Sequence, residues 1–363
     1  MHIDYIHFYV PSAVEWRDWF VRVMGFHSIA GGRNDHTATE IVGNGFDRSR
    51  PESVIFVLSS PLDSSSPVAR FLDTYPPGVV DVAFSVTDLE KFVWEHSLEG
   101  QIKEFNFPDG RMKTLSVRSI ADFQHTFIER HGETPILPDI FIESSSIKPI
   151  ASTDFIGIDH IVLNVFQGDL EKTANWYEKY LGFQKKQRFT IKTARSGLYS
   201  QVMVHPESGV QLPINEPSDR TSQIQEFLDI NKTAGIQHIA LKTKTIPRTT
   251  EKLRSAGLSF LTVPKNYYQK LENNDLYLQF SPEEWREIQA REILIDVENG
   301  GDRADHFRES TLLQIFTKPI FDRPTFFFEL IERRQNARGF GEGNFQALFE
   351  AIEREQIARG AIE

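Results

Sequence analysis

Residues 158–183 read IDHIVLNVFQGDLEKTANWYEKYLGF, and they repeat the pattern of residues 5–26, YIHFYVPSAVEWRDWFVRVMGF. In both segments alternating apolar residues predict a strand, and the spacing that follows predicts an amphipathic helix. A glycine then marks the end of each helix, Gly25 in the first segment and Gly182 in the second. This alignment sets His7 opposite His160. Repetition on this scale predicts two duplicated modules rather than two unrelated domains.

Two further segment pairs extend the repeat along the chain. GVVDVAFSV matches GIQHIALKT, which sets Asp81 opposite His238, and FIER resembles FFELIER, which sets Glu129 near Glu329. Strands of alternating polarity, two helices per module and turns rich in glycine and proline predict antiparallel-rich sheets that curve around a pocket. Periodicity by itself therefore indicates an α+β fold.

A stretch that lacks any period separates the two modules. Residues 131–153 mix proline, serine and glycine, which is typical of a linker. We expect a first module over residues 1–145 and a second module over residues 154–363.

Composition limits the kinds of partner. The 363 residues, 40% hydrophobic and 25% charged, are typical of a globular protein of about two domains. A formal charge of −11 argues against a nucleic-acid partner, which requires a basic surface. No apolar run approaches the roughly 20 residues of a membrane helix, and the N-terminus does not resemble a signal peptide. The sequence therefore predicts a cytoplasmic enzyme with no membrane partner.

Cysteine is absent from the sequence. This excludes disulfides, thiolate zinc sites, iron–sulfur clusters and a cysteine nucleophile. A metal in this protein must use histidine nitrogen and carboxylate oxygen, which favours iron, manganese or a catalytic zinc.

Three polar residues occur within apolar strand patterns: His160 in IDHIVLNV, His238 in IQHIAL and Glu329 in TFFFELIE. A single histidine in such a pattern is most often a hydrogen-bonded core residue. A carboxylate among phenylalanines costs several kcal/mol unless a cation or a proton compensates its charge. Arg333 and Arg334 are alternatives to a metal for that role. The matching repeat positions favour a metal triad, which leaves three adjacent coordination positions open.

The second module resembles the 4-hydroxyphenylpyruvate dioxygenases of the vicinal oxygen chelate superfamily. The resemblance rests on an ordered set of motifs: IDHIVLNV, SGLYSQVM, QLPINEP, SQIQEFL, AGIQHIAL, YYQKL, LLQIFTKPIFDRPTFFFELIER and GFGEGNFQALF. The first module matches more loosely, as the non-catalytic half of that family does. The resemblance implies that the first module is non-catalytic and the second catalytic, and that paired βαβββ units form an open barrel in each module.

The resemblance also implies the residues of the site. The iron(II) ligands would be His160, His238 and Glu329. The C-terminal segment NFQALFEAIEREQIARG would form a lid helix, with apolar residues at helical spacing. The polar residues implied to line the pocket are Ser200, Asn215, Gln223, Gln237 and Gln314, and the apolar and aromatic ones are Pro213, Phe316, Phe327, Phe340 and Phe345.

The activity that the resemblance implies is oxidative decarboxylation and ring hydroxylation of 4-hydroxyphenylpyruvate. With dioxygen and iron(II) the products would be homogentisate and carbon dioxide. A homo-oligomer is usual in the family. The ligand set alone leaves the metal open, and the sequence also leaves open whether the pathway is tyrosine breakdown or prenylquinone supply.

Three alternatives remain. A 4-hydroxymandelate synthase shares the ligands and the substrate but hydroxylates the benzylic carbon. An extradiol catechol dioxygenase needs an acid–base histidine, for which the sequence offers His205, expected at a strand end on the surface. A metal-free binding module is the third, and it describes best the first module, where we expect Glu129 to pair with Arg130 or Arg118.

One segment departs from the resemblance. Residues 271–310 are long and charged, and we expect a helix and a surface excursion that leave the site undisturbed.

Overall fold

Two eight-stranded sheets, one in each half of the chain, dominate the fold. The computed structural model describes residues 1–45, 53–121, 123–138, 154–193, 196–273, 276–298, 310–337, 339 and 341–360. We refer to residues 1–138 as the first half and to residues 154–360 as the second half. The predicted module boundaries stay predictions, since residue 145 lies outside the described residues.

The first half contains eight strands and three helices. In chain order these are β1 (His2–Tyr9), α1 (Ala13–Arg22), β2 (His27–Arg33), β3 (Thr37–Gly43), β4 (Ile55–Pro61), α2 (Pro67–Leu72), β5 (Gly78–Ser85), α3 (Leu89–Glu95), β6 (Lys103–Phe107), β7 (Gly110–Arg118) and β8 (Gln124–Gly132).

The second half repeats this order and adds helices between its third helix and its sixth strand and at its end. Its elements are β9 (Phe155–Asn164), α4 (Leu170–Leu181), β10 (Gln184–Lys192), β11 (Gly197–Val204), β12 (Gln211–Pro217), α5 (Gln223–Asn231), β13 (Gly235–Thr243), α6 (Ile246–Ser255), α7 (Lys265–Asn273), a 3-10 helix (Leu276–Gln279), α8 (Pro282–Ala290), β14 (Leu294–Glu298), β15 (Ser310–Phe316), β16 (Phe327–Arg334) and α9 (Glu342–Ala358).

Both sheets have the same topology. The strand order is β2-β3-β4-β1-β5-β8-β7-β6 in the first half and β10-β11-β12-β9-β13-β16-β15-β14 in the second. Each half is thus a pair of βαβββ units joined through their first strands, β1 with β5 and β9 with β13, which run antiparallel. The sheets curl into half-barrels, and the predicted duplicated fold is confirmed.

Local sequence signals explain where the first helix of each half begins and ends. The Ser12 side chain accepts a hydrogen bond from the Glu15 backbone N–H, which caps the start of α1. Gly25 and Gly182 follow α1 and α4 with φ of 73° and 70°, in the left-handed region where a side chain is disfavoured. The predicted glycine stops are therefore correct.

The register of the strands corrects part of the sequence alignment. Tyr5 lies opposite Ala83 in the first half, just as His160 lies opposite Ala240 in the second. His160 therefore corresponds to Tyr5, and the prediction that it corresponds to His7 was wrong. A shift of two residues keeps a side chain on the same face of a strand, so alternation could not reveal the error.

The alignment of Glu129 with Glu329 was also wrong. Phe127 pairs with Phe84 and Leu330 pairs with Leu241, which sets Thr126 at the position of Glu329. Glu129 corresponds instead to Glu332. Both carboxylates accept a hydrogen bond from the first backbone N–H of a helix, that of Leu89 in α3 and that of Ile246 in α6. The alignment of Asp81 with His238 agrees with the register.

The expected partners of Glu129 were wrong as well. Beyond the Leu89 amide, its carboxylate contacts His131 at 2.6 Å. The guanidinium of Arg130 pairs with Asp4 instead.

One hydrophobic core runs through both halves. It contains residues of β1, α1 and β5 together with residues of β9, α4, β13 and β16. Phe8 packs edge-on against Phe326, with ring centroids 5.2 Å apart, and Phe26 stacks on Phe155 at 5.4 Å. The halves therefore share buried surface that neither could bury alone.

The segment 271–310 is less peripheral than expected. It begins within α7 and contains α8 and the edge strand β14, and Phe280 and Trp285 are buried in the common core. Residues 299–309 lie outside the described residues. Among the helices that the structure describes, none combines the length and apolar character needed to cross a membrane.

Candidate metal centre

Three neighbouring strands bring the predicted ligands together. His160 on β9 and Glu329 on β16 both lie opposite Ala240 of β13, one on each side of that central strand. His238 precedes Ala240 by two residues, so its side chain leaves β13 on the same face. The small side chain of Ala240 leaves room between the two flanking ligands.

The ligand atoms converge on one point inside the second half-barrel. Glu329 Oε2 lies 3.1 Å from His160 Nε2 and 3.6 Å from His238 Nε2. One ligand atom from each residue lies within 4.8 Å of the others, as a single metal ion requires. All three side chains are buried, and Glu329 is 0% exposed. Glu329 Oε2 and His238 Nε2 are buried and have no hydrogen-bond partner among the described residues.

Electrostatic coupling within the triad shifts its pKa values. Burial alone would lower the pKa of His160, but the carboxylates of Glu329 and Asp159 raise it to about 9. Burial alone would raise the pKa of Glu329, whereas His160 and His238 lower it to about 2. Burial lowers the pKa of His238. The buried carboxylate of Glu329 thus stays ionised because positive charge lies beside it. A protonated imidazole supplies that charge, and a metal bound in its place would do the same.

Neighbouring acceptors orient both histidines. His160 Nδ1 lies 2.9 Å from Asp159 Oδ1, and His238 Nδ1 lies 3.2 Å from Gln237 Oε1. An oxygen acceptor at Nδ1 keeps a ring proton there and turns Nε2 toward the triad, where its lone pair is available once the ring is neutral. This is the tautomer that a metal ligand needs, so the residues present fit a divalent metal. The chemistry of two imidazoles and one carboxylate suits iron(II) among other metals.

Arginine does not replace the metal at Glu329. Arg333 makes a bidentate pair with Asp159, and Arg334 pairs with Glu284 and Glu332. The alternative in which either arginine neutralises Glu329 finds no support in these contacts.

The second oxygen of Glu329 belongs to a polar network. Gln314 Nε2 donates to Glu329 Oε1 at 2.8 Å, and Asn344 Nδ2 at the start of α9 donates to Gln314 Oε1 at 2.7 Å. The Asn344 oxygen accepts in turn from the Tyr267 hydroxyl at 2.9 Å. The network holds the carboxylate at a fixed angle and joins it to the C-terminal helix.

The remaining predicted polar residues surround the same half-barrel. Ser200 and Asn215 are partners on β11 and β12, and both are buried. Asn215 adjoins Asn164, which lies four residues beyond His160 on the same face of β9. Gln223 opens α5, and with Gln237 it lines a cavity of about 260 Å³ that Phe327 also lines.

Aromatic residues form one wall of the metal centre. The Phe327 ring stacks on His238 with centroids 4.7 Å apart, and Phe316 meets Phe327 edge-on at 6.4 Å. Phe345 of α9 packs on Phe189 at 5.5 Å, next to Val202. Pro213 is buried on β12 opposite Val202. Phe340 lies outside the described residues.

Sequence reasoning missed three residues around the centre: Asp159, Arg333 as its partner, and Asn344. Asp159 directly precedes a predicted ligand, a signal that was available in the sequence. The pairing of Asp159 with Arg333 joins β9 to β16 across 174 positions of sequence, and only the strand order reveals it.

His205 does not behave as the catechol dioxygenase alternative expects. It follows β11, as predicted, but it is 6% exposed rather than on the surface. Its Nδ1 lies 3.0 Å from the Ser208 hydroxyl and its ring packs edge-on against Phe183. The His205 ring is thus held by a turn residue, Ser208, and by a core residue, Phe183.

Comparison with known proteins places these features in a family. Residues 157–271 match the model of the Glyoxalase/Bleomycin resistance protein/Dioxygenase superfamily. The chain is 36% identical to the 4-hydroxyphenylpyruvate dioxygenase of Yarrowia lipolytica, over 99% of this chain and 93% of that one. It is 34% identical to the enzyme of the same name from Dictyostelium discoideum, over 99% of both.

A solved structure shares the fold. A triple mutant of 4-hydroxymandelate synthase from Streptomyces coelicolor superposes with a TM-score of 0.79 over 98% of both chains, at 24% sequence identity. At that identity the likeness concerns the arrangement of strands and helices alone.

Proposed function

The chain belongs to the 4-hydroxyphenylpyruvate dioxygenase family, and from this premise we propose that it converts 4-hydroxyphenylpyruvate and dioxygen to homogentisate and carbon dioxide with iron(II). The observation that carries the proposal is the convergence of His160, His238 and Glu329 within 4.8 Å inside the second half-barrel. Relatives similar over the whole chain carry the same activity in their names.

The triad would hold the metal through His160 Nε2, His238 Nε2 and Glu329 Oε2. When bound, iron(II) supplies a Lewis acid for the 2-oxo acid and a redox centre for dioxygen, at the positions that the triad leaves open. The protein's own task is to keep these positions dry and their ligands oriented. Asp159 and Gln237 perform the second task by fixing both ring tautomers.

The pocket residues would bind and orient the organic substrate. We assign the substrate ring to the wall formed by Phe316 and Phe327, because aromatic faces and edges pack well against a phenol. Amide and hydroxyl dipoles suit the phenol oxygen, and we assign this role to Ser200, Asn215 and Gln223. Gln237 and Gln314 contact metal ligands, which makes them positioning residues, while Pro213, Phe340 and Phe345 complete the predicted apolar wall.

The test is product identification with two matched variants. Metal-free protein is loaded anaerobically with iron(II), mixed with 4-hydroxyphenylpyruvate and oxygen, and the products are separated by chromatography. We expect homogentisate from the wild type and none from His160→Ala, because loss of one triad ligand abolishes metal binding. His7→Ala, which removes a histidine from β1 of the first half, should retain the activity.

Each other outcome changes the assignment. Formation of 4-hydroxymandelate keeps the site and names the other reaction on the same substrate. Metal-loaded protein that consumes no oxygen contradicts the proposal. Activity in His160→Ala equal to that of the wild type contradicts the triad.

Assembly and location stay predictions. A homo-oligomer is expected from the family, and its measurement is the molar mass by light scattering at several protein concentrations. A cytoplasmic location is expected from the sequence, and cell fractionation tests it.

A further inference from the structure

Arg333 lies at the junction between the metal centre and the segment that leads into α9. Its Nε and Nη2 atoms donate to the two oxygens of Asp159, each at 2.7 Å. Its Nη1 atom donates to the backbone carbonyls of Ala337 at 3.1 Å and Gly339 at 2.7 Å. One guanidinium thus spans β9, β16 and the start of the C-terminal segment.

Asp159 also contacts the metal ligand His160, and the ammonium group of Lys242 lies 3.6 Å from its Oδ2 atom. Asp159 Oδ1 accepts from His160 Nδ1 at 2.9 Å and from Arg333 Nη2 at the same time. The Asp159 side chain is 0% exposed, so its position depends on these bonds rather than on water. A change in the orientation of the His160 ring is therefore transmitted to Arg333 and to the two carbonyls that Arg333 holds.

A second path joins the same helix to the same metal centre. Glu329 Oε1 accepts from Gln314, and Gln314 accepts from Asn344 in the first turn of α9. His160 is thus connected through Asp159 and Arg333 to two carbonyls just before α9, and Glu329 is connected through Gln314 to the first turn of that helix. Helix α9 carries Phe345, Leu348 and Ile352 toward the pocket, where they join the aromatic wall and the cavity.

The duplicated first half offers an internal comparison. Asp4 and Arg130 occupy the positions of Asp159 and Arg333, and they form the same ion pair. Arg130 also donates to a carbonyl beyond its strand, that of Ile136, at 2.8 Å. The aspartate–arginine–carbonyl arrangement is therefore common to both halves and contributes to the fold of each.

The comparison also shows what is special to the second half. In the first half the residue after the aspartate is Tyr5, and in the second it is the ligand His160. An ion pair that serves the fold in one half therefore contacts a metal ligand in the other. We propose that Arg333 is a positioning residue that couples metal binding at the triad to the ordering of residues 341–347 at the start of α9. This inference rests on the proposed function only in its premise that the triad holds a metal.

Coupling of this kind is reciprocal. If a bound metal fixes His160 and Glu329, it also fixes Asp159, Arg333 and Gln314, and the helix start becomes more ordered. A helix start held in place must in turn raise the metal affinity by the same factor. The start of α9 is thus expected to be most protected from hydrogen exchange when the metal is present.

The experiment measures metal affinity and amide hydrogen exchange together in the full-length protein. Cobalt(II) is titrated into metal-free protein against a competing chelator, and peptides covering residues 334–350 are followed by mass spectrometry. In the wild type we expect cobalt to slow exchange in these peptides. Arg333→Met should lower the cobalt affinity by roughly 10- to 100-fold, as loss of an outer hydrogen-bond partner does, and should reduce the cobalt-dependent slowing to the part transmitted through Gln314 and Asn344.

Two further variants separate coupling from folding. Arg130→Met removes the equivalent ion pair of the first half, and it should leave cobalt affinity and the exchange of residues 334–350 unchanged. Arg333→Lys keeps a cation beside Asp159 but cannot reach the carboxylate and both carbonyls together. Its cobalt-dependent slowing should fall to the part transmitted through Gln314 and Asn344, even if Arg333→Met fails to fold, and its cobalt affinity should fall by the same factor as the coupling.

The outcomes are distinct. Cobalt-dependent slowing in Arg333→Lys equal to that of the wild type overturns the proposal, as does equal loss of affinity in Arg130→Met and Arg333→Met. Failure of the wild type to bind cobalt removes the premise and overturns it too. Cobalt binding requires no substrate, so an enzyme that shows the coupling but forms no homogentisate would contradict only the proposed reaction.

Discussion

In the first half Asp81 lies at the position of the predicted ligand His238, and the carboxylate of Asp81 accepts hydrogen bonds from neighbouring protein groups. Thr126, at the position of Glu329, donates its backbone N–H to Asp81 Oδ1 at 3.0 Å and its hydroxyl to Oδ2 at 2.6 Å. Tyr5, at the position of His160, is 4% exposed. In the duplicate triad two positions are thus joined by hydrogen bonds, and the third is a buried tyrosine.

This substitution makes the stability of the protein depend on pH. Burial raises the pKa of Asp81 to about 7, well above its usual value, although the bonds from Thr126 oppose the rise. The folded chain therefore holds a proton that the unfolded chain loses above about pH 4. Stability contributed by the neutral carboxyl is present at low pH and is lost as pH rises through about 7.

Asp81→Asn should stabilise the protein at alkaline pH. The amide keeps the shape of the protonated carboxyl and carries no charge to bury. Its oxygen can accept from the Thr126 backbone N–H, and its nitrogen can donate to the Thr126 hydroxyl. We expect a gain on the order of 2–4 kcal/mol in the free energy of unfolding at pH 8, shrinking toward zero near pH 4. Denaturant titrations at several pH values measure it. Asp35→Asn, at an exposed position, is the control, and a gain independent of pH would contradict the argument.

At the residue scale the sequence located the metal ligands but not their neighbours. His160, His238 and Glu329 were predictable because polar side chains in apolar strands require a compensating partner. The matching of His7 with His160 failed because histidine identity outweighed strand register in the alignment. Gln314 was expected only as a lining residue, whereas its bonds to Glu329 and Asn344 depend on which strands become neighbours.

At the scale of a single element, the start of α9 is held by close contact with the metal centre. Gly341 precedes the helix with φ of 74°, a conformation that residues with a side chain rarely adopt. A Cβ atom at this position would collide with the side-chain amide of Gln314, the residue that bonds Glu329. Glycine is required here for its backbone and for its lack of volume.

Gly341→Ala should therefore impair the metal centre as well as the helix. The left-handed backbone alone costs roughly 1–2 kcal/mol with alanine, and displacement of Gln314 removes a bond to Glu329. We expect cobalt affinity to fall by roughly tenfold or more. Gly360→Ala is the matched control, because Gly360 has φ of 71° just beyond the other end of α9 but open space around it. Similar cobalt affinities in Gly341→Ala and Gly360→Ala would show that the contact with Gln314 does not contribute to metal binding.

Element boundaries followed the local signals where those signals act alone. The lid helix was expected from its apolar spacing, and α9 covers Glu342–Ala358. The edge strand β14 was missed, since Leu294–Glu298 is a short segment whose strand state comes from pairing with β15. This pairing depends on the tertiary structure, so the strand cannot be predicted from the sequence of its five residues alone.

At the scale of the whole molecule, the two halves fold around one core. Phe326 is 1% exposed, and its ring contacts Phe8 of the first half at 5.2 Å and Phe328 of the second at 5.0 Å. His125 Nε2 adjoins the Tyr177 hydroxyl at 2.8 Å, again from one half to the other. The repeat predicted two similar modules but did not predict that their helices and strands pack together. An apolar face has the same sequence pattern whether its own half or the other half covers it.

Truncation of Phe326 should consequently destabilise both halves together. Loss of the ring from a fully buried position costs about 3–5 kcal/mol, because the transfer term and the cavity term add. With a shared core, Phe326→Ala should speed hydrogen exchange in β1 and α1 of the first half as much as in β16, next to the mutation. Leu278→Ala, at a side chain 65% exposed, should change neither.

The measurement is hydrogen exchange resolved by peptide, together with thermal unfolding followed by calorimetry. A common core predicts one transition that moves to lower temperature as a whole, since neither half keeps its buried phenylalanines without the other. Unfolding of the second half alone, with exchange in β1 and α1 unchanged, would show that the halves are independent domains. In that case the contact between Phe8 and Phe326 would be a docking interface, and the second half should then bind metal when expressed without the first.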